Sequence, residues 1–334
     1  MKQLVECVPN FSEGRDIKVI ETIAGSIRRV PGVKLLSVEP DKDYNRCVVT
    51  FVGEPGAVKE AAFQATKAAA EAIDMRLHKG EHPRMGATDV VPFIPVSGVT
   101  MEDCVRLANE FGKRAGEELH IPIYLYEEAA RVPERRNLAA VRKGEYEGLA
   151  EKLKNPAWKP DYGQAVFNEK SGATVTGARV FLIAYNVNLD TNKKDIAHEI
   201  ALRIRESGRT VKDKNGNSTK VTGSLKAVKA MGVLLERCNI AQVSINLTNY
   251  NITPPHRAFE EVKKEAQKLG CTVTGSEVVG LIPEEALLLA GRFFAGSQPV
   301  SLSEEQLIHK AIECLGLSQL EAFDPKKKII EYMI

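Results

Sequence analysis

Val33-Lys34-Leu35-Leu36-Ser37-Val38-Glu39-Pro40-Asp41-Lys42-Asp43-Tyr44-Asn45-Arg46-Cys47-Val48-Val49-Thr50-Phe51-Val52-Gly53 holds two apolar runs, Val33 to Val38 and Cys47 to Val52, around the polar turn Pro40 to Arg46. Runs rich in β-branched residues and bounded by Pro, Asp and Asn read as two joined strands. Upstream, Leu4 to Pro9 alternates as a strand does. Asp16 to Val30 then places Ile17, Ile20, Ile23, Ala24 and Ile27 at helical spacing until Pro31-Gly32 stops it. Downstream, Pro55 to Ile73 reads as an alanine-rich helix and Val90 to Val96 as a further strand. Strand, helix, strand, strand, helix, strand is the split order of the ferredoxin-like motif, which predicts an α/β (α+β) fold. A helix over Met101 to Leu119 and a strand over Ile121 to Tyr126 extend it.

After a helical stretch from Glu145 to Leu153, the prolines and glycine of Asn155 to Gly163 prevent regular structure and mark a crossing segment. Beyond it the order recurs. A strand spans Val180 to Leu189, a helix Lys193 to Glu206, strands about Leu225 to Leu235 and Ile240 to Leu247, a helix Pro255 to Leu269, and a strand Thr272 to Val279. Two similar subdomains are expected, residues 1–178 and 179–334, each a mixed sheet with helices packed on one face, meeting where small-molecule clefts commonly form. Ser207 to Gly223 is long for a connection in a compact domain. It reads either as a lid or as a solvated hairpin tip.

Composition bounds the function classes. At 334 residues the chain exceeds the size at which one core keeps growing, and 43% hydrophobic with 27% charged residues is ordinary for a globular protein. A net charge of +2 lacks the surplus that nucleic-acid binding normally needs. The opening MKQLVECVPNF lacks the apolar core of a secretory signal, and no apolar run suggests a spanning helix. Cys7, Cys47, Cys104, Cys238, Cys271 and Cys314 form no C-x-x-C pair. Reduced thiols in a cytoplasmic chain are the expectation.

The densest polar constellation is His78-Lys79-Gly80-Glu81-His82-Pro83-Arg84-Met85-Gly86-Ala87-Thr88-Asp89, between a helix end and a strand. Gly80, Pro83 and Gly86 hold an irregular backbone that permits close approach of a ligand. H-K-G-E-H also matches the H-x-x-E-H string of inverted zincins, but a metal-binding helix would have to tolerate Gly80 inside and Pro83 directly after. An imidazole is an effective general base without a metal. For Arg84, the functional reading is a carboxylate clamp and the structural one an ion pair with Glu81 or Asp89. Gly172 to Arg179 begins like a phosphate loop but lacks its Lys-Ser/Thr pair.

The chain resembles the glutamate formimidoyltransferase family, the transferase half of bifunctional formimidoyltransferase-cyclodeaminases. The likeness is carried by V-E-C-V-P-N-F-S-E-G at Val5 to Gly14, F-V-G at Phe51 to Gly53, H-K-G-E-H-P-R-M-G-A at His78 to Ala87 and P-F-I-P-V at Pro92 to Val96. V-T-M at Val99 to Met101, G-A-T-V-T-G-A-R at Gly172 to Arg179, A-Q-V-S at Ala241 to Ser244, V-G-L-I-P at Val279 to Pro283 and I-I-E-Y at Ile329 to Tyr332 continue it.

The resemblance implies two α/β subdomains forming a tunnel, a homodimer, tetrahydrofolate as co-substrate, no metal, and a general base at His82. It puts the folate-contacting segment at Gly163, Gln164, Ala165, Val166, Phe167, Asn168, Glu169, Lys170, Ser171 and Gly172. This segment departs from the animal pattern at Gln164 to Lys170. An acidic residue near the tunnel falls on Glu39, where the animal enzyme has Asp; Arg84 and Asp89 complete the expected substrate contacts. The implied reaction moves the formimidoyl group of N-formimidoyl-L-glutamate to tetrahydrofolate, with formyl transfer from 5-formyltetrahydrofolate as a side activity and a separate cyclodeaminase downstream. A zinc hydrolase and a folate-binding protein without turnover are the competing readings.

Overall fold

The computed structural model describes residues 3–42, 44–80, 82–212, 218–296 and 302–333. It divides into two compact units, Met1–Val180 and Phe181–Ile334.

The first unit runs β1 (Leu4–Cys7), β2 (Asn10–Phe11), α1 (Ile17–Arg28), β3 (Val33–Asp41), β4 (Arg46–Gly53), α2 (Pro55–Ala72), β5 (Thr88–Ser97), α3 (Met101–Glu118), β6 (Ile123–Glu127), α4 (Leu138–Arg142), α5 (Leu149–Lys154) and β7 (Thr174–Ala178). β1 and β2 are one strand interrupted at Val8-Pro9, because Pro9 has no N–H to give a ladder. Its carbonyl still accepts the Val49 N–H at 3.0 Å. Counting that pair as one, the sheet order is β3, β4, β1/β2, β5, β7, β6. The first four are antiparallel in split ferredoxin-like order, as the quoted stretch predicts. Local signals start the helices: the Asp16 carboxylate accepts the Lys18 N–H at 2.8 Å, and Thr100 and Asp103 form a reciprocal capping box.

β7 was not legible as a strand. Sequence reads Gly172 to Arg179 as a glycine-bounded loop resembling the start of a phosphate loop, whereas Thr174–Ala178 lies between β5 and β6, parallel to both and buried throughout. A strand covered on both faces shows no alternation. Thr174 and Thr176 satisfy their hydroxyls on the carbonyls of Thr88 and Val91, at 2.7 and 2.8 Å.

Two apolar clusters cover the two faces of this sheet. One, including Phe51, Phe93 and Phe111, packs under α1, α2 and α3. The other gathers Val90, Tyr124, Tyr126 and Val175 under Val141 of α4 and Leu149 and Leu153 of α5. The expectation of helices on one face thus holds for the ferredoxin-like part, and the β5-β7-β6 end is covered on its other side as well.

The second unit runs β8 (Ile183–Leu189), α6 (Lys194–Ile204), β9 (Arg209–Lys212), β10 (Ser218–Val221), β11 (Val228–Leu235), β12 (Ile240–Leu247), α7 (Pro255–Lys268), β13 (Val273–Val279), α8 (Glu284–Ala295), α9 (Glu304–Cys314) and α10 (Pro325–Lys328). Its sheet, β11-β12-β8-β13, is antiparallel throughout and repeats the split order. β9 and β10 pair as a separate two-stranded hairpin. They occupy the stretch read as lid or hairpin, whose residues 213–217 lie outside the described ones. The sequence reading stops before α8 and α9, although Ser303 and Gln306 form a capping box at the start of the latter. The V-G-L-I-P and I-I-E-Y motifs meet here, Ile282 donating to the Lys328 carbonyl at 2.9 Å and accepting from Ile330 at 3.1 Å.

Candidate active site

The loop after α2 that carries His82 is tied down by its neighbours at both ends. At its start stands Asn45, buried in the β3–β4 turn with φ +46, a left-handed conformation that asparagine tolerates better than most side chains. Its side chain accepts the Gly14 N–H at 3.0 Å and donates to the Lys79 carbonyl at 2.9 Å, while its own carbonyl meets His78 Nε2 at 2.9 Å. One residue thereby joins the V-P-N-F-S-E-G loop, the turn and the histidine loop. At the other end Ser12 donates to the Gly86 carbonyl at 2.8 Å, and Ala87 donates to the Ser171 carbonyl at 2.9 Å.

Gly86 and Gly172 bridge the histidine loop to the 163–172 segment. A Cβ on Gly86 would stand 2.3 Å from the Ser171 carbonyl oxygen, and one on Gly172, at φ +67, 2.2 Å from that of Met85. Both positions require glycine for this approach. The two stretches expected to carry the base and the folate contacts are therefore adjacent in space.

Charge around the loop is dominated by arginine. Arg84 is nearly buried, and its fork reaches Glu145 at 2.9 Å and Glu147 at 2.6 and 3.0 Å, while its Nε donates to His78 Nδ1 at 3.2 Å. Protein carboxylates occupy the guanidinium in this structure, the ion-pair arrangement of the two that sequence offered. Among the described residues its carboxylate partners are Glu145 and Glu147, and Asp89 pairs with Arg142 instead. Asp89, at 1% exposure, accepts the Met85 N–H at 3.0 Å and pairs with Arg142 of α4. It is buried and anchors that arginine. Arg46, half-buried at the start of β4, donates to Asn10 Oδ1 at 3.3 Å.

His82 is partly exposed, its ring edge-on to Tyr44 with centroids 6.4 Å apart. Burial, followed by the positive charges of Arg142, Arg46 and Arg84, lowers its pKa from 6.5 to about 3. The imidazole is neutral across the physiological range. The surrounding positive charges disfavour the imidazolium.

The remaining expected residues divide by what they touch. Gln164, Ala165 and Val166 face outward, Val166 at 62% exposure, with Gly163 beside them. Phe167 packs tilted against Tyr146 with centroids 5.4 Å apart, and the Tyr146 hydroxyl donates to the Glu169 carbonyl. Asn168, Lys170, Ser171 and Gly172 build the loop itself. Asn168 Oδ1 accepts the Ser171 N–H at 2.9 Å and its carbonyl the Gly172 N–H at 2.7 Å, while the Lys170 ammonium sits 2.6 Å from the Glu71 carbonyl. Glu39 is exposed on β3 opposite Val48, hence on the sheet face of Arg46 two residues away.

His78 to Gly80 and His82 lie outside any helix, Glu81 lies outside the described residues, and both ring nitrogens of His78 are engaged, by Asn45 and Arg84. The geometry of an inverted zincin, with two histidines on one helix face, is absent. Among the described residues no group of at least three His, Cys, Asp or Glu side chains is placed to hold a metal, and no helix is long and apolar enough to cross a membrane.

Sequence reasoning missed Arg46, Arg142, Glu145 and Glu147. Arg46 was in view as the end of the quoted turn. The other three lie more than fifty residues from the loop they serve, and only the fold brings them back.

Residues 4–179 match the formiminotransferase domain, N-terminal subdomain, and residues 184–334 match the formiminotransferase domain. The chain is 51% identical over 335 residues to the formimidoyltransferase-cyclodeaminase of Dictyostelium discoideum, covering all of this chain and 61% of that protein. It is 47% identical over 294 residues to the glutamate formimidoyltransferase of Streptococcus pyogenes serotype M1, 88% of this chain and 94% of that one. To the protein of the same name from Thermoplasma acidophilum it is 50% identical over 293 residues, 87% and 92% of the two chains. It spans about three fifths of the length of the bifunctional relatives it matches. With both units matched and single-function relatives aligned over nearly their whole length, the chain belongs to the formiminotransferase family.

Proposed function

We propose that this chain transfers the formimidoyl group from N-formimidoyl-L-glutamate to N5 of tetrahydrofolate, giving 5-formimidoyltetrahydrofolate and L-glutamate, with His82 as the general base. The observation that carries the reading is a neutral, partly exposed imidazole among arginines, on a loop bonded through Gly86 and Gly172 to an outward-facing segment. Family membership supplies the reaction, and these residues supply a means of performing it.

His82 takes the N5 proton as N5 bonds to the amidine carbon. The bond from that carbon to the glutamate nitrogen breaks, and His82 returns the proton to the departing amine. General-base catalysis of this kind contributes about a hundred- to ten-thousandfold, and holding two substrates in register adds more. Both substrates are anionic at one end and flat or amidinium-bearing at the other. The exposed Val166 and the Phe167–Tyr146 pair offer apolar surface suited to a flat heterocycle. Tetrahydrofolate enters as co-substrate and no metal takes part. Glu39, on the Arg46 face of the sheet, is a candidate contact for the amidinium.

A homodimer acting in the cytoplasm, with a separate cyclodeaminase releasing ammonia from the product, completes the proposal. A spectrophotometric assay with both substrates tests it. Turnover that requires formimidoylglutamate and tetrahydrofolate together is expected; folate binding with no turnover would move the chain to the binding-protein reading. Replacing the donor and acceptor by 5-formyltetrahydrofolate and glutamate measures formyl transfer in the same way.

A further inference from the structure

Resting on that reading, we propose that the Arg46 guanidinium, backed by Arg142, receives the α-carboxylate of the amino-acid donor beside His82. The cations around this ring are not equivalent. Arg84 has Glu145 and Glu147, and Arg142 has Asp89. Among the described residues Arg46 has no carboxylate at ion-pair distance, and the charges of Asp41, opposite it on β3, and Asp89 reach it only from further away. Its Nε is buried without a hydrogen-bond partner among the described residues, its NH1 meets the neutral Asn10 Oδ1 at 3.3 Å, and its guanidinium carbon lies 5.8 Å from the Tyr44 ring centroid. A half-buried guanidinium with an unmet donor carries a desolvation cost that a bound anion relieves.

The chemistry of the reaction identifies the anion. In N-formimidoyl-L-glutamate the α-carboxylate hangs from the same carbon as the nitrogen whose bond is broken. Wherever His82 meets the reacting centre, that carboxylate falls a few bonds away. The glutamate of the folate is separated from N5 by an aminobenzoyl ring, and the donor's γ-carboxylate lies two methylenes further out. A carboxylate seated on Arg46 also cancels part of the field holding His82 neutral. That field comes from Arg142 on α4, Arg46 on β4, and Arg84 and His78 on its own loop. The base then becomes a good proton acceptor when the donor is in place.

Steady-state kinetics of Arg46→Gln and Arg46→Lys in the full chain test this. Arg46→Gln should raise KM for formimidoylglutamate roughly tenfold to a hundredfold, the range of one lost charge-assisted contact, and leave KM for tetrahydrofolate within about twofold. Arg46→Lys should fall between parent and Gln variant, and it carries the same comparison if Arg46→Gln does not fold. In parallel, L-glutamate should move the His82 ring resonances toward the protonated form in the parent and not in Arg46→Gln. Unchanged KM for both substrates, or a rise for tetrahydrofolate equal to or larger than that for the donor, overturns the assignment; the latter result places the folate tail on Arg46. Failure of the base reading is distinguishable, because His82→Asn would then stay active while the two KM values still report on Arg46.

Discussion

His82 is held neutral by burial and by a ring of positive charge, and that has a measurable consequence for stability. Its proton affinity is lower in the folded chain, where the pKa is about 3, than at the ordinary value of 6.5, so unfolding takes up a proton. The sign follows: the ring costs the native state nothing well above 6.5, and progressively more as pH falls from 6.5 toward 3. Urea unfolding of the parent and of His82→Asn should therefore diverge on acidification from about pH 7 to about pH 5, the parent losing more stability. Parallel losses would mean that the folded ring titrates normally. The same field is open to direct reading. In Arg142→Gln the His82 ring should titrate at a higher pH than in the parent, which two-dimensional NMR of ring-labelled histidine resolves. The loop that carries His82 was legible in sequence as a polar cluster, since His, Glu, Arg and Asp crowd it between glycines. Its electrostatic setting was not, because Arg142 becomes a neighbour only through α4.

Between elements, the contact that matters most is backbone on backbone. Gly86 and Gly172 approach so closely that a methyl on either meets a carbonyl oxygen inside 2.5 Å. Gly172→Ala must also hold an alanine at φ +67. We expect it to cost about 2 kcal/mol or more in denaturant unfolding and to depress turnover, because it pushes the histidine loop away from the 163–172 segment. Gly56→Ala, in the first turn of α2 with nothing within 4 Å of its added methyl, should be neutral or slightly stabilising. Equal costs at the two sites would contradict the account. Elements with a clear period were readable: α1 from its isoleucines, β3 and β4 from two runs around one polar turn. β7 was not, for a buried parallel strand of Thr, Val, Gly and Ala has neither alternation nor flanking helix signals.

For the whole molecule, each unit carries its own split sheet and its own core, so damage in one should stay there. Asp89→Ala strips the counter-ion from Arg142 and a partner from the Met85 N–H; loss of one member of a buried pair costs about 3 kcal/mol. Hydrogen exchange should then rise across β5, β7 and α4 while β8 and β12 keep their protection. Loss of protection in both sheets would show that the chain unfolds as a single cooperative body. The repeat of strand and helix order was visible in sequence because hydrophobic periodicity is local. The pairing of charges was not, because it depends on closure of chain segments more than fifty residues apart. Replacing the imidazole at position 82 is the most direct measurement of its role as general base. His82→Asn, assayed with formimidoylglutamate and tetrahydrofolate beside a folate-binding titration, should lose about a hundred- to ten-thousandfold in kcat with folate affinity and unfolding midpoint at neutral pH nearly unchanged. Full turnover in that variant would contradict it.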